Sequence, residues 1–260
     1  STNVERPGYT PSERSVAPQL EQIIQNSSGK VLVSTFASSI PRIQQIVDIS
    51  ERCNRRVVLS GRSMIRNSQV AADLGYLRLP SDFMTESERW ADLPADRLTF
   101  LTTGSQGEPL SALHRIALDD HKTIKVAAGD TVILSSKFIP GNEKTISNLI
   151  NHLYRRGATV HYEKVSEIHV SGHASQEELK TMVQLTRPRY FVPIHGEYRH
   201  LVRHRRLAQD VGLPQENCFI LEDGDVLELT AKSAQKVKPI QVGRVFVDGK
   251  GVGDVGDVVI

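Results

Sequence analysis

Two short stretches of the sequence place a histidine beside a glycine. The first, VSGHAS, contains Gly172 and His173, and the second, PIHGE, contains His195 and Gly196. An imidazole can move a proton near neutral pH, donate to an anion when charged, or bind a metal ion. Glycine lets the backbone approach a ligand closely. The two stretches are therefore the candidate functional site.

The elements around these stretches are expected to bring the two histidines together. Each stretch follows a predicted β-strand, EIHV in the first case and RYFVPI in the second. A single predicted helix, opened by a capping box of Ser175 and Glu178, joins the two strands. Strands joined in this way run parallel, and neighbours lie about 5 Å apart. His173 and His195 are therefore predicted to meet at one edge of a sheet.

The loop before this helix is predicted to bind a phosphate. A helix N-terminus carries unpaired N–H groups and the positive end of the helix dipole, and both favour an anion. His173 adds a charged donor when it is protonated. The backbone and hydroxyl groups expected to help are those of Ser171, Gly172, Ala174 and Ser175.

Two further features of this region are interpreted as structural. CFILEDGDVLEL predicts a β-hairpin with Asp223–Gly224 as its type I′ turn. His200, Arg203 and His204 share one face of a predicted helix. That spacing indicates a solvated basic face.

The first part of the chain predicts an α/β fold. Four β-loop-α units begin with the strands KVLVSTF, RVVLS, LTFLTT and TVILSS, and TVHY ends the series. Such a series implies a mainly parallel sheet with helices on both faces. Ligands gather at the carboxyl ends of the strands in such sheets. The loops there are rich in Ser, Thr, Gly and isolated Arg, groups that suit phosphate oxygens, although ordinary turns also favour Ser and Gly.

Composition sets the broad class. The 260 residues carry a net charge of +2 and are 39% hydrophobic, as expected of a globular protein in which any basic surface is local. Cys53 and Cys218 lie in separate apolar contexts, which favours two reduced thiols over a disulfide or a zinc site. No apolar run reaches the roughly 18 residues of a membrane span. These features predict a cytoplasmic protein without membrane contact.

Several motifs in a fixed order resemble one known family. SGHASQEEL, PIHGEYRH, TFASSIPRIQ, TGSQGEP, IPGNE and VFVDGKGVGDVG are together similar to bacterial ribonuclease J, of the β-CASP group of metallo-β-lactamase-fold nucleases. The resemblance implies a β-CASP domain at 12–162. It also implies that 1–11 and 163–260 belong to a metallo-β-lactamase domain, the latter as the C-terminal half of its αββα sandwich.

The resemblance also implies a function. Members cleave single-stranded RNA with two zinc ions, as endonucleases and as 5′-to-3′ exonucleases in RNA processing and mRNA decay, and assemble into homo-oligomers. By the motifs, His173 matches a catalytic histidine beside the scissile phosphate, and His195 matches a zinc ligand. Both roles are expectations carried over from the family. The resemblance also implies that loops at the strand ends bind RNA or its phosphates, through Phe36, Arg62, Ser63, Gly104, Ser105, Gln106, Gly107 and Glu108.

One departure from the family is large. Its HxHxDH cluster of metal ligands has no counterpart among the nine histidines, and the acid of its DSTN loop would precede Ser1. We therefore expect a fragment without the N-terminal half of the lactamase domain and without the C-terminal domain, which alone holds no stoichiometric zinc and is inactive. The alternatives are another β-CASP nuclease, of the mRNA 3′-end processing or DNA-repair type, and a non-catalytic RNA-binding or assembly module.

Overall fold

The computed structural model describes residues 2–85, 90–163, 165–166, 168–243, 247–248 and 251–252. The chain forms two compact units. The sheet unit comprises Pro11–Ser171, and the histidine unit comprises Ser1–Thr10 together with Gly172–Ile260. The division into family domains at 12–162 stays a prediction.

The sheet unit contains a fully parallel sheet of six strands. Its strands are β1 (Val31–Ser34), β2 (Arg56–Leu59), β3 (Met84–Thr85), β4 (Leu98–Thr102), β5 (Thr131–Leu134) and β6 (Thr159–His161). Its helices are α1 (Ala17–Asn26), α2 (Ile40–Arg52), α3 (Arg62–Asp73), α4 (Ala112–Ala117) and α5 (Glu143–Arg155). The strand order is β3-β2-β4-β1-β5-β6. This arrangement confirms the predicted α/β fold, and only the short β3 was not predicted.

Both faces of the sheet are buried. Val31 and Val33 belong to a core that includes residues of α1, α2 and α3. Leu32, between them, belongs to a second core that includes residues of α4 and α5. In that second core Trp90 packs edge-on against Phe100, with ring centroids 5.0 Å apart. Because alternate side chains point to opposite faces of a strand, the two cores lie on opposite sides of the sheet.

A buried arginine joins three parts of the sheet unit. Arg42, in the first turn of α2, is only 1% exposed. Its guanidinium donates to the Ser135 hydroxyl, to the Ile168 carbonyl at 2.7 Å, and to the Glu13 carboxylate. The Ser135 hydroxyl also donates to the Ile168 carbonyl at 2.7 Å. The sequence did not reveal this role, because an arginine in an amphipathic helix is expected at the surface.

Among its described residues, the histidine unit contains two α-helices and two short antiparallel strand pairs. The elements are α6 (Gln176–Thr186), α7 (Tyr198–Asp210), β7 (Val226–Leu229), β8 (Ala234–Val237), β9 (Val247–Asp248) and β10 (Gly251–Val252). β7 pairs with β8, and β9 pairs with β10, both antiparallel. The αββα sandwich implied by the family resemblance is not evident among the described residues of this unit.

Three local predictions for the second half of the chain are wrong. The predicted strand at 167–170 forms no ladder over its described residues 168–170, and the predicted strand RYFVPI forms a single bridge, from Phe191 to Cys218. The hairpin is also displaced. The predicted turn does form, since the Asp225 N–H donates to the Glu222 carbonyl at 3.0 Å. However, β7, the strand after this turn, pairs with β8 and not with the residues before the turn. The residues Asp223–Gly224 predicted the turn correctly, but they did not predict which segment pairs with β7.

No helix in the described ranges is long and apolar enough to cross a membrane.

The Arg42 network predicts a large effect of one substitution. Arg42→Ala leaves the buried Ser135 and Ile168 oxygens without their charged donor, and we expect a loss of about 3 kcal/mol in the free energy of unfolding. Urea unfolding followed by circular dichroism measures this loss. Arg52→Ala is the control, because its ion pair with Glu21 is largely exposed and contributes little. Equal urea midpoints for the two variants would contradict the proposed role of the network.

Candidate functional site

The two candidate histidines meet in the histidine unit. The rings of His173 and His195 are stacked, with centroids 5.0 Å apart and an interplanar angle of 17°. His195 is exposed and His173 is half-buried. The predicted convergence is confirmed, but its expected cause is not, because the residues described before the two loops form no parallel ladder.

The N-terminal segment (residues 2–10) holds the main chain at His173. The side-chain amide of Asn3 donates to the His173 carbonyl at 2.7 Å, and the Thr10 hydroxyl donates to the same oxygen at 2.9 Å. Asn3 is 3% exposed. Neither contact was predicted from the sequence, because a contact across more than 160 residues leaves no local pattern.

The N-terminus of α6 is already satisfied within the chain. Ser175 and Glu178 form the predicted capping box. The N–H groups of Gln176 and Glu177 donate at 3.1 Å to main-chain carbonyls of the N-terminal segment. The donors predicted to bind a phosphate are therefore in use, and Ser175, 3% exposed, is a cap and not an open ligand group. This corrects the expectation for Ser175.

The backbone at His195 is in a strained conformation. His195 has φ of +63°, in the left-handed region that few side chains other than Asn, Asp and His adopt readily. The next residue is Gly196, where a Cβ atom would lie 2.9 Å from the His200 Cβ. Strain of this kind collects at functional sites.

The predicted solvated basic face of α7 is wrong for both of its histidines. His200 is buried, and its Nδ1 accepts a hydrogen bond from the Glu197 N–H at 3.0 Å. His204 packs edge-on against the Phe191 ring, with centroids 4.9 Å apart. The helix spacing identified the shared face but not its burial.

Part of the predicted RNA surface in the sheet unit is accessible. Phe36 follows β1 and is 38% exposed, and Arg62 and Ser63 follow β2 and are also exposed. The loops meet at the carboxyl edge of the sheet, where a Cβ atom on Gly61 would lie 2.9 Å from the Thr103 hydroxyl. These three residues can meet a ligand at this edge.

Most of the remaining predicted RNA surface in the sheet unit is buried. Gly104, Ser105, Gln106 and Gly107 are buried, so the expectation that they touch RNA is corrected. The Gln106 amide donates to the Ser136 hydroxyl at 3.1 Å and to the carbonyl of residue 137 at 2.9 Å, which joins the loops after β4 and β5. Glu108 is exposed, but a carboxylate repels phosphate.

A groove in the sheet unit adjoins the accessible edge and was not predicted. Its volume is about 1040 Å³, and it lies between α2 and α3. Ala37 and Ser38, which follow Phe36, line it together with Arg66 and Asn67. The Asn67 amide donates to the Ala37 carbonyl at 3.2 Å and so fixes the loop after β1.

The residues present do not complete a metal site. A catalytic zinc needs at least three protein ligands. Within the described ranges no group of three His, Cys, Asp or Glu side chains is arranged to hold a metal ion. The stacked pair supplies at most two imidazoles, His173 and His195.

Comparison with known proteins identifies the family. Residues 28–153 match the family described as ribonuclease J, beta-CASP domain, and residues 157–221 match the Zn-dependent metallo-hydrolase RNA specificity domain. Together with the parallel sheet, these matches define a β-CASP protein of the metallo-hydrolase class. The chain belongs to the ribonuclease J family.

Similar proteins occur in distant bacteria. Ribonuclease J of Thermus thermophilus is 46% identical over 260 residues, which are 100% of this chain and 45% of that protein. Ribonuclease J of Synechocystis sp. is 44% identical over 252 residues, 97% of this chain and 39% of that protein. Ribonuclease J of Helicobacter pylori is 42% identical over 250 residues, 96% of this chain and 36% of that protein. The chain thus spans less than half the length of the curated relatives it matches.

Two histidines outside the stacked pair predict a pH dependence of stability. Burial lowers the pKa of His169 to about 4, with Arg42 acting in the same direction, and burial also lowers the pKa of His204 to about 4. The ordinary value is 6.5, so the unfolded chain binds more protons between pH 4 and 6.5. Stability is therefore expected to be complete above pH 6.5 and to fall as the pH falls toward 4.

Urea unfolding at pH 7, 5.5 and 4.5 tests this expectation. His169→Gln and His204→Gln, which remove one titrating group each, should each show a smaller loss of stability between pH 7 and 4.5. Carboxylates such as Glu178, whose pKa is lowered from the ordinary 4.5 by hydrogen bonds, also lose stabilisation as the pH approaches 4.5, but this loss is common to the wild type and both variants. A wild-type stability that does not change over this range would refute the assignment.

The conformation of His195 predicts a difference between two substitutions. A β-branched residue is strained in the left-handed region by roughly 1–2 kcal/mol, whereas Asn tolerates it. His195→Val is therefore expected to unfold at lower urea than His195→Asn, although both remove the imidazole. The same pair at His152, inside α5, is the control and should unfold together, since Val and Asn have similar helix propensities. Equal midpoints at 195 would show that the left-handed conformation is not retained.

Proposed function

We propose that this chain is part of a metal-dependent ribonuclease that cleaves single-stranded RNA. The observation that carries the proposal is the stacked pair of His173 and His195, in two loops of a chain that belongs to the ribonuclease J family. Endonuclease and 5′-to-3′ exonuclease activity, a role in mRNA decay and assembly into homo-oligomers are part of this proposal. The two unpaired cysteines support a reducing compartment, and we propose the cytoplasm.

His195 is proposed as one ligand of a metal site. His195 lies within the residues that match the Zn-dependent metallo-hydrolase RNA specificity domain, and its imidazole is exposed on a loop beside Gly196. Zinc, when bound, supplies an activated water molecule and a positive charge beside the phosphate. Because the described residues do not complete this site, the mechanism below follows the chain's own groups only.

His173 is proposed as the catalytic residue. Its ring lies half-buried beside His195, and its main-chain carbonyl accepts a hydrogen bond from Asn3 of the N-terminal segment. A protonated imidazole in this position donates to a non-bridging phosphate oxygen or delivers a proton to the leaving oxygen. The fixed main chain limits the directions from which the ring can reach RNA.

Two surfaces are proposed to bind the RNA chain. At the first surface, Ser171, Gly172 and Ala174 flank His173 and contribute backbone or hydroxyl groups to a phosphate. In the sheet unit, Arg62 and Ser63 are proposed to contact phosphates, and the exposed Phe36 ring to stack on a base. The exposed groups at both surfaces support this proposal, and the buried residues 104–107 are not included.

Two variants of the full-length protein that contains this chain test the proposed roles. His173→Ala is expected to slow RNA cleavage on the order of 100-fold with metal content unchanged, because it removes a proton donor. His195→Ala is expected to lower metal content as well as activity. Single-turnover cleavage of a 5′-phosphorylated RNA oligonucleotide and elemental analysis measure the two effects.

The control is His152→Ala, which removes an imidazole from α5 and should change neither quantity. Equal metal loss in His173→Ala and His195→Ala would contradict the division of roles. Failure of the full-length protein to cleave RNA would favour a non-catalytic RNA-binding module, and faster cleavage of a matched DNA oligonucleotide would favour a DNA-repair type of nuclease.

A further inference from the structure

The main-chain carbonyl of His173 has both acceptor positions occupied. One is taken by the Asn3 amide at 2.7 Å and the other by the Thr10 hydroxyl at 2.9 Å. A carbonyl oxygen carries two lone pairs, so this oxygen is saturated. Asn3 is itself buried, which makes its hydrogen bonds stronger than those of a solvated amide.

The loop has an open position directly before His173. Gly172 is exposed, and a Cβ atom placed on it would have no neighbour within 4 Å. A glycine in open space leaves the backbone many conformations. The two hydrogen bonds on the His173 carbonyl therefore restrain the chain directly after this glycine.

The direction of each hydrogen bond follows from counting protons. Ser175 accepts the N–H of residue 178 in the capping box, so its own proton is available for the Thr10 hydroxyl 3.0 Å away. The Thr10 hydroxyl, which donates to the His173 carbonyl at 2.9 Å, can then accept that proton. Thr10 therefore contacts both the N-cap residue of α6 and the His173 carbonyl. Asn3 contacts the same carbonyl directly.

We propose that Asn3 is a positioning residue for His173, with Thr10 as the second anchor. By fixing the peptide that follows His173, the two donors set the direction of its side chain and keep its ring stacked on His195. The functional part of this inference rests on the proposed role of His173 in RNA cleavage. The geometric part does not depend on that role.

Asn3→Asp tests the geometric part in the 260-residue chain. The substitution keeps the shape of the side chain but replaces the donating NH₂ group with a carboxylate oxygen, which repels the His173 carbonyl. NMR at one fixed pH should show that the nuclear Overhauser effects between the His173 and His195 rings are lost. Asn67→Asp is the matched control. It makes the same change at an amide that donates to the Ala37 carbonyl, and the effects between the two rings should be retained.

Two further variants keep the test decisive if Asn3→Asp does not fold. Thr10→Val removes the second donor without changing shape and should weaken the same inter-ring effects. Asn3→Ser retains a shorter donor and should restore part of them. Inter-ring effects of wild-type strength in Thr10→Val and in every Asn3 variant that folds would overturn the positioning role.

Kinetics of the full-length protein test the functional part. Asn3→Asp is expected to lower kcat for RNA cleavage on the order of 10-fold with KM unchanged, because a small misplacement of a reacting group affects the chemical step. If the inter-ring effects are lost while kcat stays at the wild-type value, the positioning has no functional role. If His173→Ala itself cleaves RNA at the wild-type rate, the proposed function fails and the geometric inference stands.

Discussion

A fully parallel sheet has to be covered on both faces, and most of this chain is organised by that requirement. Strands β1, β2, β4 and β5 are buried at nearly every position, and their alternate apolar side chains enter two separate cores. The connecting helices must then lie on both sides of the sheet, and polar groups are left mainly to the loops. At the carboxyl edge some loops, such as that of Phe36, stay open, while the loop containing Gln106 turns inward and closes its own hydrogen bonds.

A buried polar group without a hydrogen-bond partner costs free energy, and this cost explains the contacts of Arg42 and of the N-terminus of α6. Arg42 is buried because a hydroxyl, a carbonyl and a carboxylate all meet its guanidinium. In the histidine unit, the same requirement is met by the N-terminal segment, whose carbonyls accept from the first N–H groups of α6. That helix end is consequently closed to an anion, and the segment that closes it also holds the carbonyl of His173.

The sequence predicted the regular elements of the sheet unit well and those of the histidine unit poorly. In the sheet unit, continuous apolar runs and helical periodicity are local signals, and each was sufficient to place a strand or helix. In the histidine unit, RYFVPI has the composition of a strand but finds only a single bridge partner, at Cys218. The convergence of His173 and His195 was predicted correctly, but from a sheet edge that the described residues do not form. The loop of His173 is held instead by hydrogen bonds from the N-terminal segment.

The sequence by itself determined the parallel α/β fold, the capping box of α6 and the membership of a motif-defined family. All of these depend on residues that are close in sequence or on the order of short motifs. Only the tertiary structure decided which loop residues are open to a ligand, that Ser175 is enclosed, and that Asn3 and Arg42 are anchors. Exposure and long-range hydrogen bonds depend on what the rest of the chain packs against each group, and a local pattern carries no record of a partner that is over a hundred residues away.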